Sequence, residues 1–210
     1  DQEVSQFRSA QRIADKGECS RDEMEAFAVE SHERAIRARD LGRFDAEIAP
    51  LGDVARDEGP REPNWEKIRS LKPLEEGGTI TAAVASQISD ASAALLIASD
   101  RALAEHQLTP RARIHHLSVL ADDPVWMLTA PIPATRHALK KAGMTMDDID
   151  LVEINEAFAS VVLAWMKELD VPHDKVCLLY TSDAADDLLC VVLGGRRIIK
   201  TKNYTQQLIA

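Results

Sequence analysis

The sequence predicts an α/β fold, and three observations predict it. Segments of helical periodicity alternate with short apolar runs of strand character. One stretch, DLVEINEAFASVVLAWMKEL at 150–169, turns from a strand pattern directly into a helix that is apolar or small nearly all round. The overall make-up, 45% hydrophobic and 29% charged over 210 residues, is that of a globular chain able to bury one good-sized core or two small ones.

Taken in order, Ser20-Arg21-Asp22-Glu23 has the form of a capping box, with Ser20 accepting from the Glu23 N–H and the Glu23 side chain reaching back. Met24, Phe27, Ala28, Ser31, Ala35 and Ile36 follow at helical spacing, and Gly42 suits the stop, so a long helix is expected over 20–40. Residues 50–77 hold Pro50, Gly52, Gly59, Pro60, Pro63 and Pro73 among many charges and read as an irregular, exposed connection. GGTITAAVASQISD (77–90) is small, β-capable and nearly uncharged. Ser89-Asp90 then suits the cap of a helix expected over 91–106. RARIHHLSVL (111–120) reads as a strand. Pro133 and Gly143 bracket a helix, a strand covers 150–154, and a last helix runs over 156–169. Phe158, Val161, Val162, Trp165 and Leu169 fill one face of that helix, which is expected to lie between two sheets. Asn155 sits where the strand ends and the helix begins, a place where α/β proteins put ligand chemistry. Its amide there suits either an N-cap or the holding of a water or oxyanion.

Charge and composition narrow the function. A net charge of −10 with no basic stripe argues against nucleic acid. No apolar run reaches the ~18 residues of a membrane span. Cys19, Cys177 and Cys190 make no CxxC pair and read as free thiols in a reducing, cytoplasmic setting. His115 and His116 are adjacent on the expected strand, so one should be buried and one exposed, and they cannot readily share a metal. No metal site is expected. The start, Asp1-Gln2-Glu3, lacks a methionine and reads as cut from something longer.

NEAFA (155–159), preceded by DIDLVEI, resembles the signature of the thiolases, the acyl-CoA:acetyl-CoA C-acyltransferases. SRDEMEAFAVESHERA, GRFDAEI, LKP and GGTITA…SQISD resemble that family's loop domain and the end of its N-terminal half. TPRARIHHLSVLADDPVWMLTAPIPATRHALKKAGMTMDDIDLVEINEAFASVVLAW resembles the opening of its C-terminal half. MLTAPIPATR is similar to actinobacterial thiolases, some of which act on bulky acyl chains that include steroid side chains. The resemblance implies a layered αβαβα fold divided as 1–76 (loop domain), 77–107 (end of the N-terminal half), 108–176 (start of the C-terminal half) and 177–210 (an unrelated tail).

For activity, the resemblance implies a ping-pong Claisen condensation, or its thiolytic reverse, through an acyl-cysteine, with coenzyme A thioesters as substrates and no further cofactor. Asn155 would hold the water that stabilises the thioester oxygen, and Glu156 would partner the helix N-terminus. Ser86 matches a contact to the pantetheine arm, with Ala82 and Ala85 lining the same tunnel. Met127 and Phe158 match residues near the acyl group, and Arg61 lies near the position of an arginine at the nucleotide end. Ala83 and Ala91 stand where the family usually has glycine, which puts the backbone there in question. A homodimer or homotetramer is implied for the parent.

The Gly-His-Pro and Cys-x-Gly-Gly-Gly motifs expected after residue 176 do not occur. CLLYTSDAADDLLCVVLGGRRIIKTKNYTQQLIA resembles translated sequencing-adaptor read-through, with strand-like composition at 188–193 and 197–200. If so, the last helix would lose its cover and expose its apolar face. None of the three cysteines lies in a matching nucleophile motif, so the chain itself is expected to be inactive. The competing expectation is a non-catalytic thiolase-like carrier of acyl-CoA or sterol. A decarboxylating condensing enzyme is disfavoured, because such enzymes generally have histidine where NEAFA has asparagine.

Overall fold

The computed structural model describes residues 4–177 and the backbone of 191–195. A first helix, α1 (Gln6–Lys16), is capped by Ser5 and leads through a buried Cys19 into α2 (Arg21–Asp40). Ser20 caps α2 as expected, its Oγ 3.1 Å from the Glu23 N. The Glu23 carboxylate does not turn back on the cap, however. It pairs with Lys167 at 3.1 Å, because an ion pair across the α2–α6 contact is within reach. Gly42, with φ +68°, ends the helix in the left-handed conformation that glycine accepts without strain.

After α2 the chain is irregular to α3 (Trp65–Ser70), as the Pro- and Gly-rich stretch predicts. Arg21 at the start of α2 ties this connection down. Its guanidinium bonds the buried Glu25 carboxylate at 2.7 Å and donates to the carbonyls of Arg69 and Leu71.

Two expected elements are shorter or missing. The helix expected over 91–106 is only α4 (Asp100–Glu105), capped by Ser99 rather than Ser89-Asp90. Residues 111–120 form no strand. Ile88, Leu95, Leu96, Leu117 and Val119 are all exposed. Composition alone does not hold such segments: a strand needs a ladder partner and a short helix needs a packed face, and neither is supplied by the described residues. With no strand to alternate across, His115 and His116 are both exposed, against the expectation of one buried ring.

The second half is ordered around its apolar centre. α5 (Pro131–Ala142) starts at Pro131 and ends at Gly143 with φ +65°. β1 (Ile149–Ile154) follows, then α6 (Ala159–Leu169) and β2 (Val176–Cys177). β1 pairs in parallel with β2 (Val152↔Val176) and antiparallel with β3 (Val191–Gly195; Glu153↔Val192), giving the order β2-β1-β3. β3 lies inside the tail expected to stand apart from the fold, and its backbone is nevertheless paired with β1. The run at 197–200 lies outside the described residues.

α6 packs against α1, α2 and α5, so its cover is largely helical rather than two sheets. Phe158, Val161, Val162 and Trp165 are accordingly buried, not laid bare as the sequence led us to expect. Two buried polar ties lock the contact. Ser160 Oγ donates to the Ala10 carbonyl at 3.0 Å, and Trp165 Nε1 donates to Thr135 Oγ1 at 3.0 Å.

Candidate functional site

The start of α6 is where separate parts of the chain converge. Its cap is Phe158, in extended conformation with no side-chain cap bond, so Asn155 does not cap the helix. Instead the backbone around Phe158 pairs with residues 84–86 in a single antiparallel bridge, Ala85↔Phe158. The Ala159 N–H donates to the Val84 carbonyl at 2.9 Å, and the Ser86 N–H donates to the Ala157 carbonyl at 3.0 Å. These two bonds spend one otherwise unmatched helix N–H on a loop and fix Ser86 beside the NEAFA turn.

Ala83 and Ala91 need no glycine, since neither has a positive φ. The small side chains of Ala82, Ala83 and Ala85 leave space between this loop and α2. There a narrow cleft opens, holding about 50 Å³ and lined by Phe27, Ala28, Ser31 and His32 of α2, residues 82–87, Arg61, Glu156 and Ala159. Arg61 Nη1 donates to Gln87 Oε1 at 2.7 Å at its rim. Of the residues singled out in the sequence, the cleft thus gathers Arg61, Ala82, Ala85 and Ser86.

Three others lie outside its lining. Asn155 is half-buried at the end of β1, next to Glu156. Phe158 is buried edge-on against Phe7, with centroids 5.9 Å apart. Met127 is half-buried in a segment that α1 holds through Ser9 Oγ and Arg12 to the Trp126 and Val125 carbonyls. Its φ of 25° is one that non-glycine residues seldom adopt.

The α2 side of the cleft, and Ser31 as a partner of Glu156, are what sequence reasoning missed. Glu156 lies just before the start of α6. Its carboxylate accepts from Ser31 Oγ at 3.0 Å. Burial pushes its pKa up to about 7; Ser31 and Arg34 oppose the rise and Glu153 adds to it. His32 is pushed down by burial and by Arg61 nearby, which favours its neutral form. No local pattern marks either environment, because Glu156 meets Ser31 125 positions away and His32 meets Arg61 29 positions away. The spacing Phe27–Ser31 on one helix face was the available signal.

A second, larger cleft of about 420 Å³ lies between α1, α6 and Trp126, with Lys16, Lys167, Ile132 and Thr129 among its lining. Nearby, Cys19 is buried and its thiol pKa is raised by burial, partly offset by Lys167. That favours the thiol over the nucleophilic thiolate. Among the described residues no three His, Cys, Asp or Glu side chains gather as a metal site. No described helix is long and apolar enough to cross a membrane.

Comparison with known proteins agrees with this architecture. The family description "Thiolase, N-terminal domain" matches residues 5–101, and "Thiolase, C-terminal domain" matches 108–181, running five residues past 176, where the resemblance was expected to end. The steroid 3-ketoacyl-CoA thiolase of Mycobacterium tuberculosis is 57% identical over 180 residues, covering 84% of this chain and 44% of that protein. The crystal structure of human mitochondrial 3-ketoacyl-CoA thiolase in complex with CoA superposes with a TM-score of 0.77 at 38% identity, over 83% of this chain and 45% of that one. The Bacillus anthracis acetyl-CoA acetyltransferase superposes equally well, TM-score 0.77 at 36% identity, over 83% of this chain and 47% of its own. The chain therefore spans a little under half the length of the relatives it matches. With both halves of the family matched in order and the fold shared, the chain belongs to the thiolase family.

Proposed function

We propose that the complete protein is an acyl-CoA:acetyl-CoA C-acyltransferase, acting on 3-ketoacyl-CoA by thiolysis or in the reverse Claisen direction. This chain supplies the coenzyme A cleft and Asn155. The observation that carries the reading is the backbone bridge that holds Ser86 against the NEAFA turn at the mouth of a cleft walled by alanines. A pantetheine arm is thin and neutral, and it suits a slot where the backbone can be approached closely. Arg61 at the rim suits the phosphates at the other end. Met127 and Phe158 belong on the acyl side.

Asn155 holds a water against the thioester oxygen, a role supported by its place at the end of β1, before the Phe158 cap of α6. The nucleophilic cysteine is none of the three present, and the buried, protonated state favoured for Cys19 is in keeping with that. The setting is lipid metabolism in the cytoplasm, with a homodimer or homotetramer as the working assembly. In the parent, 1–76 belongs to the loop domain, 77–107 ends the N-terminal half and 108–176 opens the C-terminal half.

In the completed enzyme, Asn155→Ala should lower kcat by roughly 10²–10³, the usual loss for an oxyanion-hole contact, with little change in KM for coenzyme A. An unchanged kcat would remove Asn155 from the chemistry. A complete protein that binds acyl-CoA without turnover would instead be the carrier.

A further inference from the structure

The cleft has two walls built on different parts of the chain, and one side chain joins them. The wall of residues 82–87 is fixed to the NEAFA turn by the backbone bonds on either side of Ala85. The opposite wall is the face of α2 that carries Phe27, Ala28, Ser31 and His32. That face meets the same turn through the 3.0 Å bond from Ser31 Oγ to Glu156 Oε1, on a carboxyl that itself lines the cleft.

We propose that Glu156 is a positioning residue whose bond to Ser31 sets the width of the cleft, and hence its affinity for the pantetheine arm of its ligand. The inference rests on reading the cleft as the coenzyme A site. Glu156 acts through α2, whose Ser31 it holds.

The groups facing it decide how the latch responds to pH. From α2 these are Ser31, His32 and Arg34; from β1, Glu153; across the cleft, Arg61, which is engaged with Gln87. The neutral carboxyl can sit beside Glu153 without repulsion and without drawing water to the cleft floor. Once ionised it is a buried anion next to a second carboxylate, opposed by Arg34, and it would face a polyanionic ligand. With its pKa near 7, the carboxyl crosses between these states at neutrality.

The test is coenzyme A binding to the 210-residue chain by titration calorimetry from pH 6 to 8.5. It uses wild type, Glu156→Gln, which keeps an uncharged acceptor for Ser31, and Ser31→Ala. Wild type should lose roughly tenfold in affinity across that range, the scale set by one unit of pKa coupling. Glu156→Gln should bind as wild type does at pH 6 and stay within about twofold to pH 8.5. Ser31→Ala should bind several-fold more weakly at every pH. The ligand's own phosphate ionisation is common to all three and cancels in the comparison. If Glu156→Gln keeps the wild-type pH profile, or Ser31→Ala binds like wild type, the latch is overturned while the cleft stands. If wild type fails to bind coenzyme A at any pH, the reading of the cleft falls and takes the latch with it.

Discussion

Glu156 carries a cost that the rest of the chain must meet. Its folded pKa, near 7, stands above the 4.5 of a freely solvated glutamate, so the folded state holds its proton more tightly than the unfolded one. The sign follows directly. The stability it contributes is full below pH 4.5 and is lost as pH rises to about 7, by up to ~3 kcal/mol. His32, whose pKa is lowered, acts in the opposite sense below its usual value. Urea unfolding at pH 5 and pH 7.5 should therefore be compared between wild type and Glu156→Gln, in which the His32 contribution cancels. The variant should lose less stability between the two pH values than wild type. Equal losses would show that Glu156 is solvated. At this scale the sequence was partly legible. Ser86, Ala82, Ala85 and Arg61 share a cleft because the family pattern encodes them in neighbouring loops. The environment of Glu156 was not legible, since its partner Ser31 lies 125 positions away and no local rule pairs them.

Among the elements, α6 is the one on which the others are built. Thr135 on α5 is buried, donates to the Pro131 carbonyl at 2.8 Å and accepts from Trp165 Nε1. Thr135→Val keeps the shape but strands the indole N–H in the core. The expected loss is about 1–3 kcal/mol, read as a lower urea midpoint with unchanged m-value. Thr135→Ser, which keeps the hydroxyl, should recover most of it. α2, α5 and β1 were legible because each carries its own boundary signal: Ser20, a proline with Gly143 (Pro133 was read as the start, two residues late, and the helix begins at Pro131), and the run ending at Ile154. α1 was missed because its buried face is Ser9, Ala10, Ile13 and Ala14, small residues that hydropathy hardly registers. The strand expected over 111–120 failed for the opposite reason. Its propensity is good, but Ile114, Leu117 and Val119 find no apolar surface among the described residues and stay in water.

At the scale of the whole molecule, the chain holds two clefts and spans a little under half the length of its relatives. Cys19 is buried with its thiol pKa raised, and no cysteine stands in a nucleophile motif. Purified chain should therefore give no thiolysis of acetoacetyl-CoA; turnover in the usual enzymatic range of ~1–10³ s⁻¹ would refute that. The central claim concerns which of two clefts takes the ligand. The larger, beside Trp126 and Lys167, has the volume; the smaller, beside Ser86, has the backbone bridge and the alanine walls. Hydrogen–deuterium exchange with and without coenzyme A separates them directly. The account predicts slower exchange in residues 59–61, 82–87 and 156–159, with no change at 126–132 or 164–168. Protection confined to the Trp126 cleft, with residues 82–87 unaltered, would contradict it.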